Sequence, residues 1–255
     1  MFRLLLPCLV CYVSVTAQQN KTFITYSHGA IVRGDSTKKE LALVFTADQF
    51  GEGLPVIITT LEKHKIKGSF FFTGRFFRNK TFQKNIKHLN NKGHYLGPHS
   101  DQHLLYCDWI KRDSLLVTKD SFSKDINQNL EAIKDFGLHG PHSYFIPPFE
   151  WWNDSIAVWN KQLNLFLFNF TPGIRTAVDY TWPELPSYKN NDWIMNQLKQ
   201  VAETKPTALN GSIILIHAGT DPRRKDKFYN RLEELIIYLK QKGYAFKRID
   251  ELLKN

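Results

Sequence analysis

Residues 41–47 read "LALVFTA", an unbroken apolar run that ends at Asp48-Gln49. A strand with no polar face has to be covered on both sides, as strands are in a parallel sheet clad with helices. The stretch therefore predicts an α/β protein, provided the rest of the chain alternates strands with amphipathic helices, and it does. Leu54, Ile57, Ile58 and Leu61 share one helical face, and "GSFFFTG" (68–74) reads as the next strand. "TFQKNIKHLNNKG" is a helix stopped by Gly93, and "HYLGPH" is a short strand. "SFSKDINQNLEAIKDFG" is helical, with Phe122, Ile126, Leu130 and Ile133 in line. Strand "SYFIPP" (143–148), helix "DSIAVWNKQLN" and strand "LFLFNF" (165–170) follow, then helix "NNDWIMNQLKQVAE" and strand "GSIILIHAG" (211–219). Helix "DKFYNRLEELIIYLKQKG" and strand "YAFKRI" close the chain. About seven β–α units with no Pro-, Gly- or Ser-rich linker between them predict a single-domain barrel, closed or nearly so, over residues 41–255. Residues 18–40 read as an irregular lead-in.

The first 17 residues have a different character. One positive charge at Arg3, an apolar run from Leu4 to Val15, and small Ala17 before Gln18 make the layout of a secretory signal cleaved near Ala17. The run is shorter than the roughly 20 residues of a spanning helix. No stable membrane span is expected, and the mature protein is placed outside the cytoplasm, secreted or periplasmic. Cys8 and Cys11 leave with such a signal, so Cys107 remains as a lone thiol and the fold rests on packing. A content of 42% hydrophobic and 14% aromatic residues supplies the material. The formal net charge is +10. Its lysines and arginines are spread along the chain, often beside acids as in "RLEELIIYLKQK". That is a solvated helical surface and not a nucleic-acid stripe, so no nucleic-acid partner is expected.

In parallel α/β barrels functional groups gather at the C-terminal ends of the strands. Those ends read Thr46-Ala47-Asp48-Gln49, Pro98-His99-Ser100 with His103 beyond, Pro147-Pro148-Phe149-Glu150-Trp151-Trp152, Asn169-Phe170-Thr171 running on to Arg175 and Asp179, and finally His217. Titratable groups collect at one rim while the strand bodies stay apolar. His99 and His103 stand four apart, so on a helix both imidazoles share a face, and the pair is a candidate metal site. Zinc takes histidine or carboxylate, usually as three protein ligands with one open position. Asp48 or Gln49 would be the third.

On these residues the chain resembles the polysaccharide deacetylases, the NodB-type carbohydrate esterases, over most of residues 41–248. The family's H-[ST]-x-x-H motif is matched by His99-Ser100-Asp101-Gln102-His103. T-F-D-D appears as Thr46-Ala47-Asp48-Gln49, and R-x-P-[YF] as Ile146-Pro147-Pro148-Phe149. Asp179-Tyr180-Thr181-Trp182 stands for the motif with aspartate and tryptophan, and Leu215-Ile216-His217 for the closing leucine and histidine. The resemblance implies a distorted (β/α)7 barrel that hydrolyses N- or O-acetyl groups on a polysaccharide or oligosaccharide. It implies a divalent metal, zinc foremost, held by His99, His103 and Gln49. It makes Asp48 the general base, His217 the general acid, and Phe149 the backbone N–H donor to the oxyanion. Two positions depart from the pattern. Gln49 is a neutral amide where the family has a carboxylate ligand. Ile146 stands where the family has an arginine that pairs with the base, so Asp48 is expected to lack its charge partner. Glu150 adds a carboxylate that could act as base or ligand.

Trp109, Glu150, Trp151, Trp152 and Trp182 are candidate substrate contacts, with Tyr106 and Tyr180 beside them, because aromatic faces stack on sugar rings. Trp159 and Trp193 fall in helical patterns and read as core. Asp221, Arg223 and Arg224 follow His217 as either substrate contacts or a charged loop. Three functions stay open: an exported metal-dependent deacetylase, a degenerate glycan-binding member of the family, and a metal-independent amide hydrolase on the same barrel.

Overall fold

The computed structural model describes residues 23–138, 142–205 and 207–254. The secretory signal expected over residues 1–17 lies outside them. A hairpin, β1 (Thr25–Ser27) and β2 (Ala30–Arg33), precedes the first long strand, β3 (Glu40–Ala47). Helix α1 (Leu54–Lys63), strand β4 (Ser69–Phe72), helices α2 (Gly74–Arg78) and α3 (Gln83–Asn91), and strand β5 (Tyr95–Pro98) follow. The second half runs α4 (Lys119–Asp135), β6 (Tyr144–Phe145), α5 (Asp154–Gln162), β7 (Phe166–Leu167), α6 (Asn191–Thr204), β8 (Ser212–His217), α7 (Leu232–Gln241), β9 (Ala245–Lys247) and α8 (Ile249–Leu252).

The strands lie in the order β5-β4-β3-β8, all parallel, and β9 pairs with the first residues of β3. β6 and β7 form a separate parallel pair. Side chains span the gap between β5 and β6: the Tyr144 N–H donates to Tyr95 Oη at 3.0 Å, and His142 Nδ1 donates to the Leu96 carbonyl at 2.7 Å. On the far side Ile31 of β2 bridges to Phe168, just past β7. There Thr171 Oγ1 donates to the Val32 carbonyl at 2.7 Å and accepts the Ile213 N–H at 2.9 Å. The result is the distorted α/β barrel the sequence predicts, in a single domain. One expectation is corrected. Residues 25–33 are not irregular; they form a hairpin whose turn residues His28 and Gly29 have φ of 43° and 73°. Both lie in the left-handed region that a type I′ turn demands, and β2 then helps to close the barrel.

The strands alternate strictly. Ala42 and Val44 face the interior with Phe71, Ile146, Phe168, Ile213 and Leu215. Leu41, Leu43 and Phe45 pack outward against helical side chains such as Leu61, Leu235 and Ile236. The same period of two carries Thr46 and His217 onto the interior line at the strand ends, where they are partners in register. Helix α1 buries the face that the spacing predicts, Leu54, Ile57, Ile58 and Leu61.

Candidate active site

A cleft of about 590 Å3 opens at the C-terminal ends of the strands. Its walls include Asp48, Gln49, Arg75, His99, His103, Trp109, Phe149, Glu150, Tyr180, Trp182, His217 and Asp221. Most of the residues singled out in the sequence therefore meet in one place.

The histidines do so by a different route from the one expected. After β5 the chain enters no helix; Ser100 and His103 have φ of 66° and 57° and fold it into a tight loop. Helix α4 holds that loop. Asn129 accepts the His99 N–H at 2.8 Å and donates to the Phe72 carbonyl at 3.2 Å. Asp125, one turn earlier on the same face, accepts the N–H groups of Asp101 and Gln102 at 3.1 and 2.9 Å and the Tyr106 hydroxyl at 2.8 Å. The two imidazoles end with ring centres 5.0 Å apart. His99 Nδ1 lies 2.9 Å from the Ile146 carbonyl, which can only accept, so Nδ1 carries the proton and Nε2 is bare. Burial keeps both rings neutral, holding His99 well below its ordinary value and His103 at about 4.

Asp48 is not left without a partner. Arg75 grips both of its oxygens with Nε and Nη2, and Thr73 Oγ1 donates to it at 3.0 Å. The arginine missing at position 146 is thus replaced from the first turn of α2, while Ile146 itself is buried in the barrel interior. Thr73 caps α2 by accepting the Phe76 N–H. Gly74 packs so closely that a Cβ there would lie 1.7 Å from Asp101 Oδ1. Asp101 is held by Arg78 at 2.7 and 2.9 Å. Gly74→Ala is therefore expected to push Asp101 off Arg78, to move Arg75 with the helix, and to cost about 1–3 kcal/mol as overpacking does. Urea unfolding reads this directly, and an unchanged midpoint would contradict it.

His217 is held by one carboxylate at two points. Its Nδ1 lies 2.5 Å from Asp179 Oδ1, and its backbone N–H donates to Asp179 Oδ2 at 3.0 Å. Burial alone would lower the His217 value, but the charge and hydrogen bond of buried Asp179 outweigh it and raise it. Beside it, Pro147-Pro148 leads into a short 3-10 turn in which Phe149 and Glu150 have φ of 58° and 52°. Two consecutive left-handed residues of this size cost about 1–3 kcal/mol each, a strain typical of functional sites. Phe149 is second in the turn, so its N–H has no partner within the turn itself. Asn169 Nδ2 fixes the Glu150 carbonyl at 2.9 Å. The Glu150 carboxyl has no hydrogen-bond partner among the described residues, and burial pushes it up to about 7.

The aromatic group divides. Trp109, 53% exposed, and Trp182 line the cleft. Trp151 stands behind Trp109, stacked at 5.7 Å, and is not on the wall. Trp152 is a correction: it is 4% exposed, part of the core, and its Nε1 donates to the His28 carbonyl at 2.9 Å. Arg223 lies over the Trp182 ring at 3.8 Å and pairs with Asp221. Arg224 is fully buried, so it is neither substrate contact nor exposed loop. Arg75 was missed. It ends β4 as Thr73-Gly74-Arg75, and reading that strand end as the others were read would have found it.

The metal implied by the resemblance does not fit these donors. His99 and His103 offer two neutral nitrogens, Gln49 offers a neutral amide, and Asp48 is committed to Arg75. No three His, Cys, Asp or Glu side chains gather to hold a metal among the described residues. The adjacent guanidinium adds a repulsive charge that a divalent cation would have to overcome. Elemental analysis of dialysed protein is expected to give well under one metal per chain, and Gln49→Asp to raise it. Stoichiometric metal retained by the wild type through chelation would contradict this.

The polysaccharide deacetylase family model matches residues 33–166, just over half of the chain. An uncharacterized 30.6 kDa protein of Geobacillus stearothermophilus is 26% identical over 230 residues, 89% of this chain and 75% of that one. The peptidoglycan-N-acetylmuramic acid deacetylase PdaA of Bacillus subtilis is 24% identical over 234 residues, 89% of this chain and 76% of that one. Among solved structures, a CE4 family pseudoenzyme from Bacillus anthracis superposes with a TM-score of 0.69 at 20% identity, over 90% of this chain and 70% of that one. At that identity the likeness speaks for the fold.

Proposed function

Because the chain belongs to the polysaccharide deacetylase family, we propose that it is an exported hydrolase that removes acetyl groups from an acetylated polysaccharide or oligosaccharide, with peptidoglycan strands the first substrate to try. The observation that carries this reading is the pairing at the cleft: His217 on Asp179 and Asp48 on Arg75, both on the cleft that Phe149 also lines. The Asp179 carboxylate under His217 is buried, and a buried ion pair is costly to desolvate; a groove that only binds sugar does not need one. In the reaction, water attacks the acetyl carbonyl carbon while a cleft carboxylate, Asp48 by the family pattern, takes its proton. The Phe149 N–H faces the oxyanion. His217 gives a proton to the departing amine or alkoxide, and acetate remains. Trp109 and Trp182 offer faces for the sugar rings. Zinc has no step in this scheme, since the donors do not fit it.

Peptidoglycan is favoured by two of the relatives, from Bacillus subtilis and Bacillus cereus, whose names assign them N-acetylmuramic acid and N-acetylglucosamine units of that polymer. The test is acetate release from peptidoglycan, chitooligosaccharides and acetylated xylan. Release from at least one is expected. Binding to one of them with no acetate from any supports the second reading, a degenerate glycan-binding member, which the neutral Gln49 favours. For export, intact mass is expected to give a chain beginning at Gln18, and a secreted form that keeps residues 1–17 would contradict it.

A further inference from the structure

A second hollow, of about 480 Å3, shares Gln49, Phe50 and Thr220 with the cleft. The two spaces lie side by side, so a chain of sugars seated in one can continue into the other. Half-buried Phe50 and Phe82 give the hollow apolar faces. Three cations line it as well, Arg224, Lys225 and Lys227. Two of them are committed. Arg224 is wholly buried and donates to main-chain carbonyls and to Asn191. Lys227 Nζ donates to the Thr220 carbonyl at 2.7 Å, to Thr220 Oγ1 at 3.0 Å and to the Asp221 carbonyl at 2.9 Å, and it pairs with Glu52 at 3.1 Å. Lys225 is exposed, and its ammonium has no partner among the described residues.

The neighbouring carboxylates are already held. Glu52 has Lys227, and it also accepts the Thr220 N–H at 3.0 Å and the Tyr229 hydroxyl at 3.2 Å. Asp221 is gripped by Arg223 at 2.8 and 2.6 Å, and Asp48 by Arg75. Glu150 lines the cleft and not the hollow. Gln49, where the two spaces join, is a neutral amide and sets no negative charge in the path of an anion. We propose that the hollow is a further sugar subsite, in which Lys225 takes the carboxylate of an acidic sugar next to the one that loses its acetyl group. The proposal rests on the hydrolase reading above and deepens it by naming the charge of the substrate. A lysine ammonium is a point charge on a flexible stem, which suits a carboxylate carried on the outside of a sugar ring. Such a carboxylate has two sources, the lactyl ether of muramic acid and a uronic acid.

The experiment compares kcat/KM on charged and neutral strands that share a backbone: peptide-free peptidoglycan strands against chitooligosaccharides, and acetylated glucuronoxylan against acetylated xylan. The wild type is expected to favour the charged strand of at least one pair, and the pair that shows it identifies the source of the carboxylate. Lys225→Gln is expected to lower that preference by up to about 5-fold, through KM, as the loss of one exposed ion pair does. Lys225→Glu, which adds a repulsion, is expected to lower it by about 10-fold. Lys225→Arg is expected to keep it. Raising the salt from about 0.01 to about 1 M shortens the screening length from about 30 to about 3 Å, so it should erase the preference of the wild type and leave Lys225→Gln unmoved. A wild type that treats both strands of each pair alike, or variants that change both strands equally, would overturn the proposal. If no strand releases acetate, the hydrolase reading fails. The same comparison made on strand affinity then still decides whether Lys225 reads the charge.

Discussion

His217→Ala is expected to lower kcat for acetate release by about 100- to 10,000-fold, the range a positioned proton donor supplies. Glycan affinity should stay within a few-fold, because the stacking faces of Trp109 and Trp182 remain. Asp179→Asn tests the same pair from the other side. The carboxylate is what outweighs burial at His217, so without its charge the imidazolium loses its support and burial lowers the titration. The alkaline limb of the profile should then move to lower pH, and kcat should fall with it. A His217→Ala enzyme as fast as the wild type would remove the proton donor from the scheme.

The largest effect on stability is expected from Arg224→Met. Arg224 is 0% exposed, and each of its three side-chain nitrogens donates. Nη1 donates to the Thr181 and Lys189 carbonyls at 2.7 and 3.1 Å, Nη2 to Asn191 Oδ1 at 2.8 Å, and Nε to the Asp226 carbonyl at 3.0 Å. The Asp226 carboxylate stands 3.6 Å away. This one side chain ties the segment that carries Trp182 to the loop after β8. Methionine keeps an unbranched apolar stem but leaves the buried acceptors without donors, so a loss of about 3 kcal/mol or more is expected, each unsatisfied acceptor costing about 1–3 kcal/mol. Urea or thermal unfolding measures it, and an unchanged midpoint would contradict the role. Sugar affinity should fall too, since Trp182 loses the residue that anchors its segment.

What could be read from the sequence followed how local the cause is. β3, β8, α1 and α7 were legible because their apolar periods are long and regular. The rule that functional groups gather at the C-terminal ends of parallel strands then placed Asp48 and His217 at one rim. The hairpin at 25–33 was passed over because its strands are short and its turn is Ser27-His28-Gly29-Ala30, a weaker signal than Asn-Gly. His99 and His103 were correctly paired for the wrong reason: the left-handed Ser100 breaks the helix, and Asp125 and Asn129 of a helix about 25 residues on set the loop instead. Such contacts leave no local trace. Trp152 was grouped with Trp151 by adjacency, but neighbouring residues in extended chain point opposite ways, and one of them had to be core. The Asp48–Arg75 pair spans 27 residues. Its members were each visible at strand ends, but their meeting is a property of the β3–β4 pairing alone.

The measurement that separates this chemistry from its alternatives is acetate release by protein stripped with a chelator, using N-acetylated peptidoglycan strands as substrate, alongside Asp48→Asn and His217→Ala. Undiminished release by the stripped wild type, lost in both variants, is the predicted result. Release that disappears on chelation and returns with zinc would contradict it.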